Sequence, residues 1–565
     1  HGPSGPLIDL AGLKRSANGE PIAWQRDEVD VHAFHCRLPD GAKELEVKLD
    51  FLSPPSTAAF SSGASMTPHL AVLNWNQFVL VPQGAKMREL TCQGNVQLPK
   101  GWKLATSMRT MKTAKEMTTF APVTLEVLLD SPVICGQYFR DVPIGPADGP
   151  KHRIAMACDS RAGLEMDVEL RKKFDRLVVE AEKLFGGRPY QDYTFLLALS
   201  DHVAHFGLEH YSSSDNRVPE RVIVDGRFGK TGWGQLLPHE FVHAWNGKYR
   251  RPAEMVVDDF QKPQRTKLLW VYEGLTQYYG VVLTTRCGLW TDEQFRDHLA
   301  TIGEWAKNQR GRTWRPLEDT AVAAQLLYYA RGDWASWRRG TDFYDEGTLL
   351  WLDADTLIRT QTKGKRSLDD FCRRFHAVDP KFPLVKPFTF DDLVADLNAV
   401  TPHDWKGFLE ARVKGTGDAA PLQGITRGGW TLTYADHASD FQQANEDDAK
   451  TIDLSSSLGL SLRSEGQVSD VVHGKPAHAA GVGPGMKLVA VNTRRWTPQV
   501  LRDALADAKK AGKGKLSLLF ENGDIFRTLE ISYHDGERFP RLERVTESPD
   551  LIGDITRPLA PPAKK

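Results

Sequence analysis

No part of this 565-residue chain constrains its fold more than Pro238-His239-Glu240-Phe241-Val242-His243. Histidines at i and i+4 project from one helix face about one turn apart. Two imidazoles placed that way can reach one Zn²⁺ at about 2.0–2.1 Å. Glu240 follows the first histidine, so it can act on a water at the metal instead of binding the metal itself. Pro238 suits a helix that begins there, because the first helical amides have no partner to lose. The competing reading is a helical histidine pair that only packs in a core or on a surface. A catalytic zinc needs a third protein ligand and an open fourth position. Glu273, thirty residues beyond His243, is the best candidate. It is the lone carboxylate in LLWVYEGLTQYYGVVL, and a buried carboxylate is costly unless paired or bound to metal. It could instead reach solvent from a mostly buried helix.

The length predicts several domains, each able to bury a core. Seventy-two Lys and Arg against 73 Asp and Glu give a formal charge of −1, without the basic excess of a nucleic-acid binder. At 41% hydrophobic residues the composition is that of a globular chain. The charge-free stretch Phe51 to Ala85 is interrupted by Pro54, Pro55 and Pro68, so it reads as strands and loops. A membrane-spanning helix needs about 20 mostly apolar residues, and no integral membrane contact is expected. The six cysteines are scattered without CxxC spacing, which allows one to three bridges or none. His1-Gly2-Pro3 shows neither an initiator Met nor a leader, which leaves an exported origin open.

Along the chain, residues 1–158 read as a β-sandwich, with strands expected at Val29 to Leu38, Glu44 to Leu52, Leu70 to Val81 and Thr124 to Leu129. Met166 to Leu184 has helical spacing, and Tyr193 to Leu199 reads as a buried strand. Residues 159–420 form the expected catalytic domain with a Trp-rich helical extension. Residues 421–545 carry the order strand–strand–strand–helix–strand of a small partly open barrel, with the helix from about Pro498 to Ala511. Residues 546–565, with Pro558, Pro561 and Pro562, read as a C-terminal tail.

HEFVHAWNGKYRRP followed by WVYEG resembles the gluzincin metallopeptidases, and most closely the glycyl-aminopeptidase family with a C-terminal PDZ domain. Phe206-Gly207-Leu208-Glu209-His210 is similar to that family's G-L-E-H strand, the counterpart of GAMEN in aminopeptidase N-like enzymes. Phe343-Tyr344-Asp345-Glu346-Gly347 resembles its Tyr-x-x-Gly element, with Asp345-Glu346 departing from the usual Lys before the glycine. Ser457-Leu458-Gly459-Leu460 resembles the carboxylate-binding turn of a PDZ domain. The run from Lys475 to Thr493 resembles the bacterial PDZ pattern, except at Lys475, Met486 and Thr493.

The resemblance implies an α+β thermolysin-like catalytic domain between an N-terminal β-sandwich and a C-terminal PDZ-like β-barrel. It implies one Zn²⁺ per chain on His239, His243 and Glu273. Glu240 would be the general base and Tyr344 the oxyanion donor. Glu209, with Gly207 and His210 on the same strand, would bind the substrate's free α-ammonium. A second cluster, Asp201, His202, His205, Glu209 and His210, fits one helical face less well, and Gly207 points to a loop or strand end. The expected activity is release of small N-terminal residues from peptides with a free N-terminus, and a peptide C-terminus is a further expected partner at the PDZ groove. A zinc endopeptidase whose PDZ unit selects targets, and a PDZ adaptor on an inactive scaffold, are the alternatives. A periplasmic or secreted location follows from the resemblance alone.

Overall fold

The computed structural model describes residues 7–53, 65–147, 149–381 and 384–561, which fall into two compact units. Pro54, Pro55, Pro562, the first three residues and Lys564-Lys565 lie outside the described residues. The first unit comprises His1–Asp167, Tyr190–Asp225 and Glu254–Arg265, and the second comprises the remainder.

The first unit is β-rich. Its N-terminal residues form small sheets, among them the four strands Lys103–Ala105, Val133–Gly136, Leu70–Leu73 and Ser65–Met66 in that order. The expected strand at Thr124 to Leu129 is instead a two-residue strand, Val123–Thr124, running into the helix Leu125–Leu129. The Thr124 hydroxyl accepts the Val127 amide and so caps that helix. The helix itself, LEVLL, is mostly made of strong helix formers.

A five-stranded mixed sheet follows. Its order is Tyr138–Ile144, His152–Cys158, Tyr193–Leu199, Ser213–Val218 and Phe206–Glu209. Tyr193–Leu199 is buried at every position and pairs in parallel with a neighbour on each side. Burial on both faces accounts for its uninterrupted apolar sequence. Phe206–Glu209 pairs antiparallel with Ser213–Val218 at the edge of the sheet.

The second unit is mainly helical. The helix Val168–Phe185 falls where the apolar spacing predicts it. Trp245, Trp270, Trp290, Trp351 and Trp405 are fully buried, and Trp270 stacks on Trp351 at 5.9 Å. Three helices matter most here: Leu236–Val242, Gly274–Arg286 and Asp345–Thr362. They approach one another through glycines. A Cβ on Gly280 would stand 3.1 Å from the Cα and Cβ of His239. A Cβ on Gly347 would stand 2.6 Å from the Cα of Gly274.

Residues 430–544 carry the expected helix, Pro498–Ala511, but no closed barrel among the described residues. Thr451–Leu454, Leu460–Arg463 and Val468–Val471 form one sheet. Arg494–Arg495, Lys487–Val491, Leu516–Asn522 and Ile525–Ile531 form another. One core that includes Leu458, Leu462, Val491, Leu505 and Phe520 fills the space between them, and a bridge from Gln467 to Lys487 joins their ends. Strands this short do not supply the tilt and continuous stagger that closure requires. The residues read as a tail include the helix Leu551–Thr556, where Leu551, Ile552 and Ile555 are buried. Glu180 beyond it accepts the Leu559 and Ala560 amides. The six cysteines are unbridged, and no described helix is long and apolar enough to cross a membrane.

Gly347→Ala is expected to lower stability by about 1–3 kcal/mol, the usual cost of overpacking a close helix contact. Denaturant unfolding measures it, with Gly303→Ala, a helical glycine whose Cβ would meet only ordinary contacts from 3.4 Å outwards, separating the crowding effect from a general glycine effect.

Candidate metal centre

His239 lies within the helix Leu236–Val242, and His243 caps its end. Pro238 is the third helical residue, still among the amides that need no intrahelical partner. Glu273 lies between the helices Leu269–Tyr272 and Gly274–Arg286. The three side chains converge: the two Nε2 atoms are 3.2 Å apart. Glu273 Oε2 stands 3.2 Å from Nε2 of His243 and 3.6 Å from that of His239. All three residues are buried. Ligands at about 2.0–2.1 Å from a tetrahedral Zn²⁺ lie about 3.3 Å apart, so this spacing fits the ion. Glu273 Oε2 has no hydrogen-bond donor in its buried position, which is the state expected of a ligand atom. Burial opposes its charge, but the adjacent imidazoles of His243 and His239 hold the carboxyl well below the usual carboxylate range.

The surroundings orient these groups. His243 Nδ1 donates to the Asn246 carbonyl at 2.9 Å, which turns the Nε2 lone pair towards the centre. The Asn246 side chain is fully buried and ties the turn after His243 to the Glu273 segment. Its Nδ2 donates to the Val271 carbonyl at 2.8 Å, the Tyr272 carbonyl at 3.1 Å and the Thr276 hydroxyl at 3.0 Å. Its Oδ1 accepts from His376 Nε2 at 3.2 Å. Neither Asn246 nor His376 is evident as a site residue from the sequence. Asn246 lies within HEFVHAWNGKYRRP, but only its buried contacts reveal its role. His376 is more than a hundred residues away and carries no motif.

Glu240 is buried on the same helix as His239. Tyr344 caps the helix Asp345–Thr362, with its ring centroid 6.0 Å from that of His239. The second unit therefore brings together His239, Glu240, His243, Glu273 and Tyr344. Glu346, read as a departure from the family pattern, is buried in ion pairs with Arg312 and Arg339. That pairing accounts for an acid at this position.

Gly207 and Glu209 lie on the edge strand Phe206–Glu209 of the first unit, and His210 follows it. His210 Nδ1 meets Asp130 at 3.3 Å, and the same carboxylate accepts the Tyr211 amide at 2.6 Å. Of the second cluster, Asp201, His202 and His205 enter no group of metal-ligand atoms among the described residues. His205 Nε2 instead donates to the Ser200 carbonyl at 3.2 Å.

The buried His376 contributes to pH dependence. Burial, together with nearby Arg250, pushes its imidazole down to about 3. An unfolded histidine titrates near 6.5, so between these values the unfolded chain binds a proton that the folded chain excludes. Stability present above pH ~6.5 is therefore lost as pH falls towards ~3. Thermal melts across that window should show the decline, and His376→Gln should reduce it, leaving the part due to His298, which burial pushes down to about 4.

Residues 233–350 match the model of the M61 glycyl aminopeptidase family, and residues 1–137 match that of the peptidase M61 N-terminal domain. A comparison with curated proteins finds no match. Among solved structures, the chain is similar to an aminopeptidase N family protein from Idiomarina loihiensis. Identity is 18% and the TM-score 0.78, with 98% of this chain and 92% of the other covered. It also matches an M1 zinc metallopeptidase from Deinococcus radiodurans, at 17% identity and a TM-score of 0.46, over 73% and 86% of the two chains. With two models of one family matched in chain order, and the His239–His243–Glu273 centre inside the catalytic one, the chain is similar over those residues to the M61 glycyl aminopeptidases and is a zinc metallo-aminopeptidase.

Proposed function

We propose that this enzyme releases small N-terminal residues, glycine or alanine, from peptides with a free α-amine. The hydrolytic part of the reading is carried by the buried convergence of His239, His243 and Glu273, with Glu240 on the same helix and Tyr344 beside it, and the preference for small residues by the similarity to the glycyl aminopeptidase model. Zn²⁺ held by those three side chains would polarise the scissile carbonyl and make a nearby water acidic near neutral pH. Glu240 takes the proton of the attacking water and passes it to the departing amine. Tyr344 donates its phenolic hydrogen to the developing oxyanion, a contribution of about 2.7–4 kcal/mol for one donor. The Glu209 carboxylate supplies the counter-charge for the α-ammonium. Gly207 keeps that edge strand open to substrate backbone, and His210 braces it through Asp130.

We read residues 421–545 as a PDZ-like module on the strength of the Ser457–Leu460 turn and the 475–493 run. Thr451–Leu454 and Val468–Val471 hydrogen-bond the two edges of Leu460–Arg463. That favours a module that packs within the chain over one that captures a peptide C-terminus by strand addition. The retained ligands and Glu240 weigh against an inactive adaptor. A periplasmic or secreted location rests on the family resemblance.

Glu240→Gln is expected to keep one zinc per chain by metal analysis while kcat falls about 10²–10⁴-fold. An active variant would remove Glu240 from the mechanism. A panel of aminoacyl reporters should show chelator-sensitive cleavage, fastest for glycine and alanine. Free-amine peptides should be cleaved and N-blocked ones spared, with Glu209→Ala losing activity chiefly on the former. Equal cleavage of blocked peptides would mark an endopeptidase instead.

A further inference from the structure

The hydroxyl of Tyr344 meets the hydroxyl of Tyr328 at 2.6 Å. The backbone of Tyr344 is already fixed at its helix start, since its amide donates to Thr341 and its carbonyl accepts the Thr348 amide at 2.8 Å. What the helix leaves open is the direction of the phenol. Tyr328 supplies a second point of attachment. When it donates to the Tyr344 oxygen, the Tyr344 proton is left for substrate, and the accepted hydrogen bond polarises it further.

Tyr328 opens a segment that runs to Arg339, and the far end of that segment is seated on the C-terminal module. Trp337 stacks on His473 at 4.4 Å with ring planes 19° apart. The His473 amide donates to Ser336 Oγ at 3.3 Å. Trp334 packs against the module's hydrophobic core and meets His478 edge-on at 5.8 Å. The Asp470 carboxylate faces the backbone N–H groups of Trp334 and Ala335. Trp334 itself has φ 56°, a conformation that a bulky residue keeps only where its surroundings hold it. The module therefore grips the segment through stacked rings, a hydrogen bond and a constrained backbone.

We propose that Tyr328 is a positioning residue for Tyr344, and that the C-terminal module holds Tyr328 in place through Trp334 and Trp337. This rests on the reading of Tyr344 as oxyanion donor. It gives the module a part in turnover that needs no bound peptide.

The test is steady-state kinetics on the full-length zinc enzyme with a glycyl reporter. Tyr328→Phe is expected to lower kcat about ten-fold, the worth of one hydrogen bond, with KM changed less than about two-fold and zinc content unaltered. Trp337→Ala should lower kcat similarly and add little in the Tyr328→Phe background, as coupled residues do. Trp337→Phe, which keeps a stacking ring on His473, should restore most of the loss and guards against a folding defect. Tyr344→Phe separates this proposal from the reading beneath it. If Tyr344→Phe collapses kcat while Tyr328→Phe is silent, the positioning role is overturned and the oxyanion role stands. If Tyr344→Phe is itself silent, the oxyanion role fails and the positioning role with it. Additive losses for Trp337→Ala in the two backgrounds would overturn the anchoring by the module.

Discussion

Two imidazole nitrogens and a carboxylate oxygen held within 3.2–3.6 Å of one another in a buried site define the second unit. Without a shared cation, such a cluster of lone pairs is costly. The fold must therefore hold the three donors close while giving each a fixed direction. Asn246 does much of this, since one buried amide reaches both the turn after His243 and the carbonyls beside Glu273. His243 is aligned through the Asn246 carbonyl. The direction of a ligand's lone pair is thus set by residues that do not touch the metal.

Close backbone approach is the second requirement. Gly280 lies against His239, and Gly274 lies against Gly347. These glycines let the ligand helix and the Tyr344 helix pack on the Glu273 helix, so chemistry spread over more than a hundred residues of chain meets at one point. The same packing buries Glu346 between Arg312 and Arg339. In that setting the acidic pair after Tyr344 is a structural feature of its own helix.

Elements with strong local signals were legible in the sequence. The helices Val168–Phe185 and Pro498–Ala511 carry a helical period, and the strand Tyr193–Leu199 carries an apolar run that opens on a Tyr-Thr-Phe stretch of strand-favouring residues. Thr124 to Leu129 was misread because a short apolar run is ambiguous, and the Thr124 cap decides for helix. The C-terminal segment reads as a partly open barrel and forms two sheets without a closed barrel among the described residues; which strands pair there is set by their neighbours and not by their own sequence. Of the site, His239, Glu240, His243 and Glu273 were visible through spacing and the cost of a buried charge. Tyr344 was visible only through a family pattern.

The sequence by itself determined which residues could hold a metal, because i and i+4 spacing on a helix is a local property of the chain. It also determined that a lone carboxylate in an apolar segment needed a partner. Only the tertiary structure decided that Glu273 meets His239 and His243, that Asn246 ties the turn after His243 to the Glu273 segment and is met by His376, and that Tyr328 meets Tyr344. Those are contacts between residues far apart along the chain. No local period records them, because they exist only once helices and turns have packed to van der Waals distance.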